Sequence, residues 1–211
     1  MARFLPLFPL NIVVFPGEKL NLHIFEPRYK QLITECLHQD TTFGMPSFIN
    51  NQVTDIGTEL KILSIEKTYP NGEMDIKTKG LGLIRILDFY KQAPNKFYPA
   101  GTVEDISIQN QEDTYLKNQI TECLRQMYGI LGIEKLYMNL PADYKLFDIA
   151  HHLGLSTEQE YELLQCENEL ARQKLVLSHL EKIMPVILET ERLKDRVRMN
   201  GHFKNIIPPR F

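Results

Sequence analysis

Two adjacent histidines are the residues of this sequence that most readily suggest metal binding or proton transfer. His151 and His152 follow one another directly. On a helix their side chains would lie about 100° apart, whereas a helical zinc site uses histidines at positions i and i+4. The sequence also contains neither a Gly-x-x-x-x-Gly-Lys-[Ser/Thr] phosphate loop nor a Gly-x-Ser-x-Gly nucleophile turn. We therefore predict no metal, no cofactor and no enzymatic activity of the chain itself.

The three cysteines offer a second route to chemistry, through a nucleophilic or redox-active thiol. Cys36, Cys123 and Cys166 form no Cys-x-x-Cys pair, and an odd number of cysteines is not typical of a disulfide framework. Cys36 and Cys123 fall on the apolar faces of predicted helices, where a free thiol behaves as a small hydrophobic group. The sequence favours three buried, unreactive thiols.

Composition and charge exclude several classes of protein. The chain has 24 lysines and arginines against 27 aspartates and glutamates, a net charge of −3, which argues against a dedicated nucleic-acid-binding protein. No run of about 18 apolar residues is present, and the N-terminus lacks the pattern of a signal peptide. We expect a cytoplasmic protein without a membrane-spanning segment, built as one large domain or two small ones.

Period-two alternation predicts that the first half of the chain is mostly β-strand. Leu20, Leu22 and Ile24 alternate with polar or aromatic residues, and two alternating runs around Pro70-Asn71-Gly72 predict a hairpin. Gly80-Leu81-Gly82 lacks the third glycine of a dinucleotide site and predicts a bulge or bend instead. Many short strands with one early helix indicate a small, strongly bent, barrel-like sheet.

Helical periodicity dominates from about residue 112. An apolar stripe runs from Leu116 to Leu131, Ser156-Thr-Glu-Gln159 has the pattern of a capping box, and a longer last helix follows. Pro185 lies inside that last helix and is expected to kink or split it. The sequence thus predicts an α+β chain with a β-rich part, residues 1–109, and a helical part with a basic tail, residues 110–211.

The segment from Leu146 to Leu164 has the spacing of a helix-turn-helix DNA-binding unit. Its charge argues against that function, because residues 141–168 contain six acidic residues and one base, Lys145. A recognition helix must approach phosphates, which a local charge near −5 would repel. We predict a packed pair of helices here and no DNA binding.

Aromatic and charged residues beside turns are candidates for a recognition surface, since exposed loops on rigid scaffolds often carry binding. Glu26 and Arg28 flank Pro27, a residue suited to the first position of a helix. Each candidate has a structural alternative, because aromatic residues also fill cores and charges also brace turns. The candidate recognition surface comprises Phe15, Phe25, Glu26, Arg28, Tyr29 and Asn71.

The C-terminal tail is a second candidate surface. Six basic residues and a single aspartate give residues 192–211 a net charge of +5. These charges fit a solvated helix end, where cations complement the helix dipole, or an acidic partner such as RNA. The apolar residues of 203–211 are expected to dock on their own domain or on a second copy of the chain. The candidate basic residues are Arg192, Arg196, Arg198 and Lys204.

The opening of the chain resembles the amino-terminal, substrate-binding domain of Lon proteases. The resemblance rests on Leu5-Pro-Leu-Phe-Pro-Leu-Asn-Ile-Val-Val-Phe-Pro-Gly17 and His23-Ile-Phe-Glu-Pro-Arg-Tyr29. Gly57-Thr58, Tyr69-Pro-Asn-Gly72 and the Gly80 to Ile86 run also recur in that family at similar spacing. The resemblance implies a PUA-like, bent pseudo-barrel followed by a helical portion that ends in a long C-terminal helix.

The resemblance implies a non-catalytic recognition module, an adaptor or sensor, without the ATPase and peptidase that such a domain normally precedes. The implied partners are unfolded or flexible polypeptide segments and a protease or chaperone acting in trans. Two alternatives stay open: an RNA-binding PUA-like protein that uses the basic tail, and a small-ligand site on the helical side. A homo-oligomer is a further expectation, and no membrane contact is expected.

Overall fold

The computed structural model describes residues 1–109, 111–135, 140–141 and 143–202, the last four of them by backbone only. The chain forms two compact units. The first, the β-rich unit, comprises Met1–Asn110 and Lys145–Glu169, and the second, the helical unit, comprises Gln111–Tyr144 and Leu170–Phe211. The units thus group residues 145–169 with the strands, and the predicted division into domains at residue 110 stays a prediction.

Six antiparallel strands form the sheet of the β-rich unit. They are β1 (Arg3–Pro6), β2 (Lys19–Ile24), β3 (Phe43–Ile49), β4 (Gln52–Thr68), β5 (Met74–Tyr90) and β6 (Ala100–Ile106). Their hydrogen-bonded order is β1-β6-β5-β4-β3, and β2 pairs with β5. The chain that follows β1 forms bridges to β3, at Leu7–Gly44 and Leu10–Ser47. These bridges join the two ends of the sheet, so the sheet closes on itself as a bent pseudo-barrel.

The hairpin of β4 and β5 confirms two predictions from the sequence. The Tyr69 N–H donates to the Glu73 carbonyl at 2.8 Å across the predicted turn, and Gly72 adopts a φ of 77° there. The ladder shifts register between Glu59 and Leu60, opposite Gly80-Leu81-Gly82, which is the predicted bulge. Because bulges increase local bend and twist, strands of 17 residues can curve around a small core.

Helix α1 (Pro27–Gln39) packs its apolar face into the main core of the β-rich unit. Pro27 occupies the first turn, where its missing N–H removes no intrahelical bond. The helix ends at Asp40, which adopts a left-handed φ of 48°. The buried positions have the spacing of one helical face and are Tyr29, Leu32, Ile33 and Cys36.

Helices follow the strands, as predicted for an α+β fold. They are α2 (Thr114–Leu131), α3 (Leu146–Ile149), α4 (Thr157–Gln165) and α5 (Glu169–His202), with a 3₁₀ turn at Ala150–His152. The Ser156–Gln159 capping box is confirmed, since each residue's side chain accepts from the other's backbone N–H. Helix α5 continues through Pro185 and is not split there. Within the described ranges, no helix has the length and apolar character needed to cross a membrane.

The cysteines differ in their burial. Cys36 is buried, whereas Cys123 and Cys166 are only partly buried, so the prediction of three buried thiols is wrong for two of them. Removal from water disfavours a thiolate and raises the pKa of Cys36 and of Cys123. Both thiols are therefore held in the unreactive, protonated form at neutral pH.

Candidate binding groove

The β-rich unit carries an open groove of about 740 Å³. Five segments that are distant in sequence contribute to it: the chain after β1, the start of α1, the β3–β4 turn, the end of β5 and the loop before β6. Most of the lining side chains are apolar or aromatic. The lining residues are Pro9, Arg28, Tyr29, Phe48, Asn51, Gln52, Val53, Phe89, Lys91 and Pro99.

The first turn of α1 fixes one wall of the groove. The Tyr29 ring stacks on Phe8, with ring centres 3.8 Å apart, and is almost fully buried. The Arg28 guanidinium lies 4.5 Å from the centre of the Tyr29 ring, and its Nε and Nη2 donate to Glu26 Oε2 at 2.8 Å. Because Glu26 and Tyr29 hold the guanidinium from two sides, Arg28 is oriented before any ligand arrives.

The β3–β4 hairpin supplies another part of the lining. Asn50 and Asn51 form a two-residue turn with φ values of 52° and 62°, the left-handed backbone that type I′ hairpins require and that asparagine tolerates. Phe48 and Val53 face each other just before and after this turn. The Phe48 N–H donates to the Leu10 carbonyl at 2.7 Å, yet its side chain remains 40% exposed. The turn thus presents an uncovered aromatic ring from a rigid backbone.

A network centred on Glu35 anchors the loop that leads into β6. Its carboxylate accepts from the Tyr98 hydroxyl at 2.6 Å and from Lys96 Nζ at 2.9 Å, and the Gln31 amide donates to it at 3.1 Å. Burial alone would raise the pKa of Glu35, but these hydrogen bonds together lower it. The carboxylate therefore stays ionised and binds the loop to α1, which fixes the position of Pro99 beside the groove.

The groove combines exposed apolar rings with uncharged polar side chains. Phe48 and Phe89 are partly exposed rings, which can cover an apolar side chain. The amides of Asn51 and Gln52 each offer a donor and an acceptor for a peptide backbone. No cluster of three or more His, Cys, Asp or Glu residues in the described chain is placed to hold a metal ion.

The structure places the sequence candidates in different surroundings. Arg28 and Tyr29 line the groove, and Glu26 orients Arg28 from outside it. Phe15 is fully buried, 5.1 Å from the Phe147 ring, so it belongs to no exposed surface. Phe25 is 58% exposed but does not line the groove.

The remaining candidates within the described ranges are not among the residues that line the groove. Asn71 is exposed at the tip of the β4–β5 hairpin, where its carbonyl accepts from Lys30 Nζ at 3.0 Å. Arg192, Arg196 and Arg198 are exposed on α5 in the helical unit. Lys204 and the predicted docking segment 203–211 lie outside the described residues.

Eight of the ten groove residues were absent from the sequence candidates: Pro9, Phe48, Asn51, Gln52, Val53, Phe89, Lys91 and Pro99. Phe48 and Phe89 look like ordinary strand residues in the sequence, and only the exposure of their rings distinguishes them. The one sequence signal available was Asn50-Asn51, a dipeptide suited to a tight hairpin turn. That signal locates a hairpin, but it does not show which side chains stay uncovered.

His151 is held between two carboxylates of the β-rich unit. Its Nδ1 lies 2.7 Å from Glu160 Oε1, and its Nε2 lies 3.2 Å from Glu18 Oε2. The hydrogen bonds that the imidazolium donates, first to Glu160 and then to Glu18, raise the pKa of His151 to about 10, although partial burial opposes the change. The Glu18 carboxylate also accepts from the Phe15 N–H at 2.9 Å. The histidine is therefore a cationic clamp between the turn that precedes β2 and the 3₁₀ turn.

This clamp predicts a loss of stability at alkaline pH. An unperturbed histidine has a pKa of about 6.5, whereas His151 in the folded chain has a pKa of about 10. The charged histidine therefore stabilises the fold fully below about pH 6.5, and this stabilisation is lost progressively as the pH rises to about 10. Because the side chain is 39% exposed, solvent screening limits the effect to about 1–2 kcal/mol. Urea unfolding of the wild type and of His151→Gln should show a stability gap that is widest near pH 6 and narrows toward pH 10. A gap that stays constant would contradict the clamp.

The comparisons with known proteins agree with this fold. The family model described as "ATP-dependent protease La (LON) substrate-binding domain" matches residues 4–182. A crystal structure of a Lon N-terminal domain protein from Xanthomonas campestris is 23% identical, with a TM-score of 0.65, over 83% of this chain and 98% of that one. The N-terminal domain of Mycobacterium avium complex Lon protease is 13% identical, with a TM-score of 0.61, over 85% and 98%.

At these identities the two structures establish the fold, the bent antiparallel sheet with a helical portion and a long C-terminal helix that the opening motifs implied. The family match covers most of the chain, including every residue that lines the groove. The chain therefore belongs to the family of ATP-dependent protease La (LON) substrate-binding domains.

Proposed function

We propose that the groove binds unfolded or flexible polypeptide segments and that the chain acts as a non-catalytic recognition module. The observation that carries this proposal is the pair of uncovered rings, Phe48 and Phe89, which are 40% and 36% exposed beside the rigid Tyr29 wall. Exposed apolar surface in a concave site costs free energy until a partner covers it. Unfolded segments supply the apolar side chains that would do so.

The polar groups of the groove support a peptide in particular. An extended segment needs donors and acceptors for its own backbone, and the side-chain amides of Asn51 and Gln52 lie beside the exposed rings. Membership of a substrate-binding domain family agrees with this function. In the cell, such a module would serve as an adaptor or sensor that passes segments to a protease or chaperone in trans.

The charges on α5 favour polypeptide binding over RNA binding. Arg192 lies 3.8 Å from Glu189, and Arg198 lies 3.7 Å from Asp195. Lys194 Nζ lies 2.5 Å from Glu191. These acidic neighbours offset much of the positive charge of the described part of the tail, and neutralising phosphates is the main source of nucleic-acid affinity.

The experiment is a fluorescence anisotropy titration of the purified chain against a labelled unfolded polypeptide, with structured RNA as competitor. We expect saturable polypeptide binding that RNA leaves intact at physiological salt. Absence of polypeptide binding, together with RNA binding that falls steeply as salt rises, would contradict the proposal.

A further inference from the structure

The charges that line the groove all have one sign. Arg28 and Lys91 are the charged lining residues, and no aspartate or glutamate is among the ten. This is the reverse of the whole chain, whose net charge is −3. The positive sign is local, because the neighbouring depression beyond the β3–β4 turn is lined by Asp55, Glu158 and Glu162. The turn therefore separates a positive groove from a negative one.

The two cationic side chains of the groove, Arg28 and Lys91, can each still bind an anionic group of a ligand. Arg28 uses Nε and Nη2 for Glu26, and within the described chain its Nη1 makes no hydrogen bond. Lys91 forms no ion pair with any described residue. A lysine beside exposed aromatic rings, without a carboxylate of its own protein, is placed to meet an anionic group of a ligand.

We infer that the groove selects polypeptide segments in which aspartate or glutamate side chains flank an apolar residue. This inference rests on the proposed function of the groove. The apolar residue would cover Phe48 and Phe89, and the carboxylates would meet Arg28 and Lys91. The two cations come from separate elements, the start of α1 and the chain after β5, and so match two carboxylates along a segment better than the single carboxylate of a chain end.

The test compares three peptides with blocked termini and a central Leu-Phe pair, flanked on both sides by Glu, by Gln or by Lys. Partly exposed ion pairs are worth about 0.2–1 kcal/mol, or about a 1.4- to five-fold change in affinity for each pair. We expect the Glu peptide to bind the wild-type chain most tightly and the Lys peptide most weakly. The differences should shrink at about 1 M salt, where the screening length falls to about 3 Å.

A matched pair of variants tests whether the preference for the Glu peptide arises from the groove. Lys91→Gln should reduce the preference for the Glu peptide. Lys79→Gln makes the same charge change on an exposed position of β5 outside the groove, and should leave the preference intact. An equal loss in both variants would show a general effect of net charge and overturn the inference.

The remaining outcomes separate the inference from the proposed function. If the three peptides bind with equal affinity, selection for acidic segments is overturned while polypeptide binding stands. If the Gln peptide with a free C-terminus binds as tightly as the blocked Glu peptide, the groove recognises a chain end, and the inference is also overturned. If no peptide binds, the proposed function itself fails.

Discussion

Replacing both Phe48 and Phe89 by alanine is expected to weaken polypeptide binding by about ten- to a hundred-fold, because each ring that anchors a partner is typically worth more than about 1 kcal/mol. Both rings are partly exposed, so their truncation should change the stability of the fold far less than the affinity. Anisotropy titrations of the wild type and the double variant, with urea unfolding as a check on the fold, measure both quantities.

Two single variants serve as controls for loss of an exposed ring. Phe97 is 70% exposed and does not line the groove, so Phe97→Ala should bind like the wild type. Phe25→Ala should do the same, although the sequence placed Phe25 among the recognition candidates. Unchanged affinity of the double variant, or an equal loss in Phe97→Ala, would show that the groove is not the binding site.

Gly57→Ala is expected to destabilise the fold by about 2–4 kcal/mol, since the new methyl group has no room and its neighbours cannot move aside. A Cβ at this position would lie 2.7 Å from the Met45 carbonyl oxygen and 2.7 Å from Pro46 Cα. Both are backbone atoms of β3, which pairs with Gly57. Relief would require β3 to separate from β4, next to the turn that carries Phe48.

Gly82→Ala is the matched control on the neighbouring strand. A Cβ at Gly82 would meet nothing within 4 Å, and its backbone lies in β5 without a positive φ. We expect its unfolding free energy in urea to stay within about 0.5 kcal/mol of the wild type. If Gly57→Ala is as stable as Gly82→Ala, the close packing of β3 on β4 is not as tight as the structure indicates.

Local signals in the sequence were sufficient for much of the fold. The Pro70-Asn71-Gly72 turn and the Ser156–Gln159 capping box each depend on a few neighbouring residues, so the sequence alone predicts them. Helix α1 has its start signal in Pro27, which occupies its first turn. The glycine-flanked bulge in β5 is likewise a local feature. Each of these predictions is confirmed.

Strand β3 and the continuity of α5 required longer-range information. Pro46 lies within β3 and argues against a strand, because proline removes a backbone donor. The strand tolerates it beside a register shift between Pro46 and Phe48. Pro185 is similarly accommodated inside an uninterrupted helix. In both cases the surrounding structure outweighs the local preference of proline.

The groove was the least predictable feature, because its walls come from five segments spread between Pro9 and Pro99. Period-two alternation gives the face of a strand on which a side chain lies, but not whether another element covers that face. Phe15 and Phe48 illustrate the difference: the first is fully buried, and the second is 40% exposed. Sequence reasoning selected the buried one as a recognition candidate.

Backbone-amide NMR of the isotopically labelled chain, recorded during the polypeptide titration, is the most direct test of the groove as the binding site. We expect saturable shift changes concentrated at the groove, around Tyr29, Phe48, Val53 and Lys91, at the polypeptide concentrations at which anisotropy rises. Shift changes confined to the β4–β5 hairpin tip, or to α5 in the helical unit, would contradict the assignment of the groove as the site.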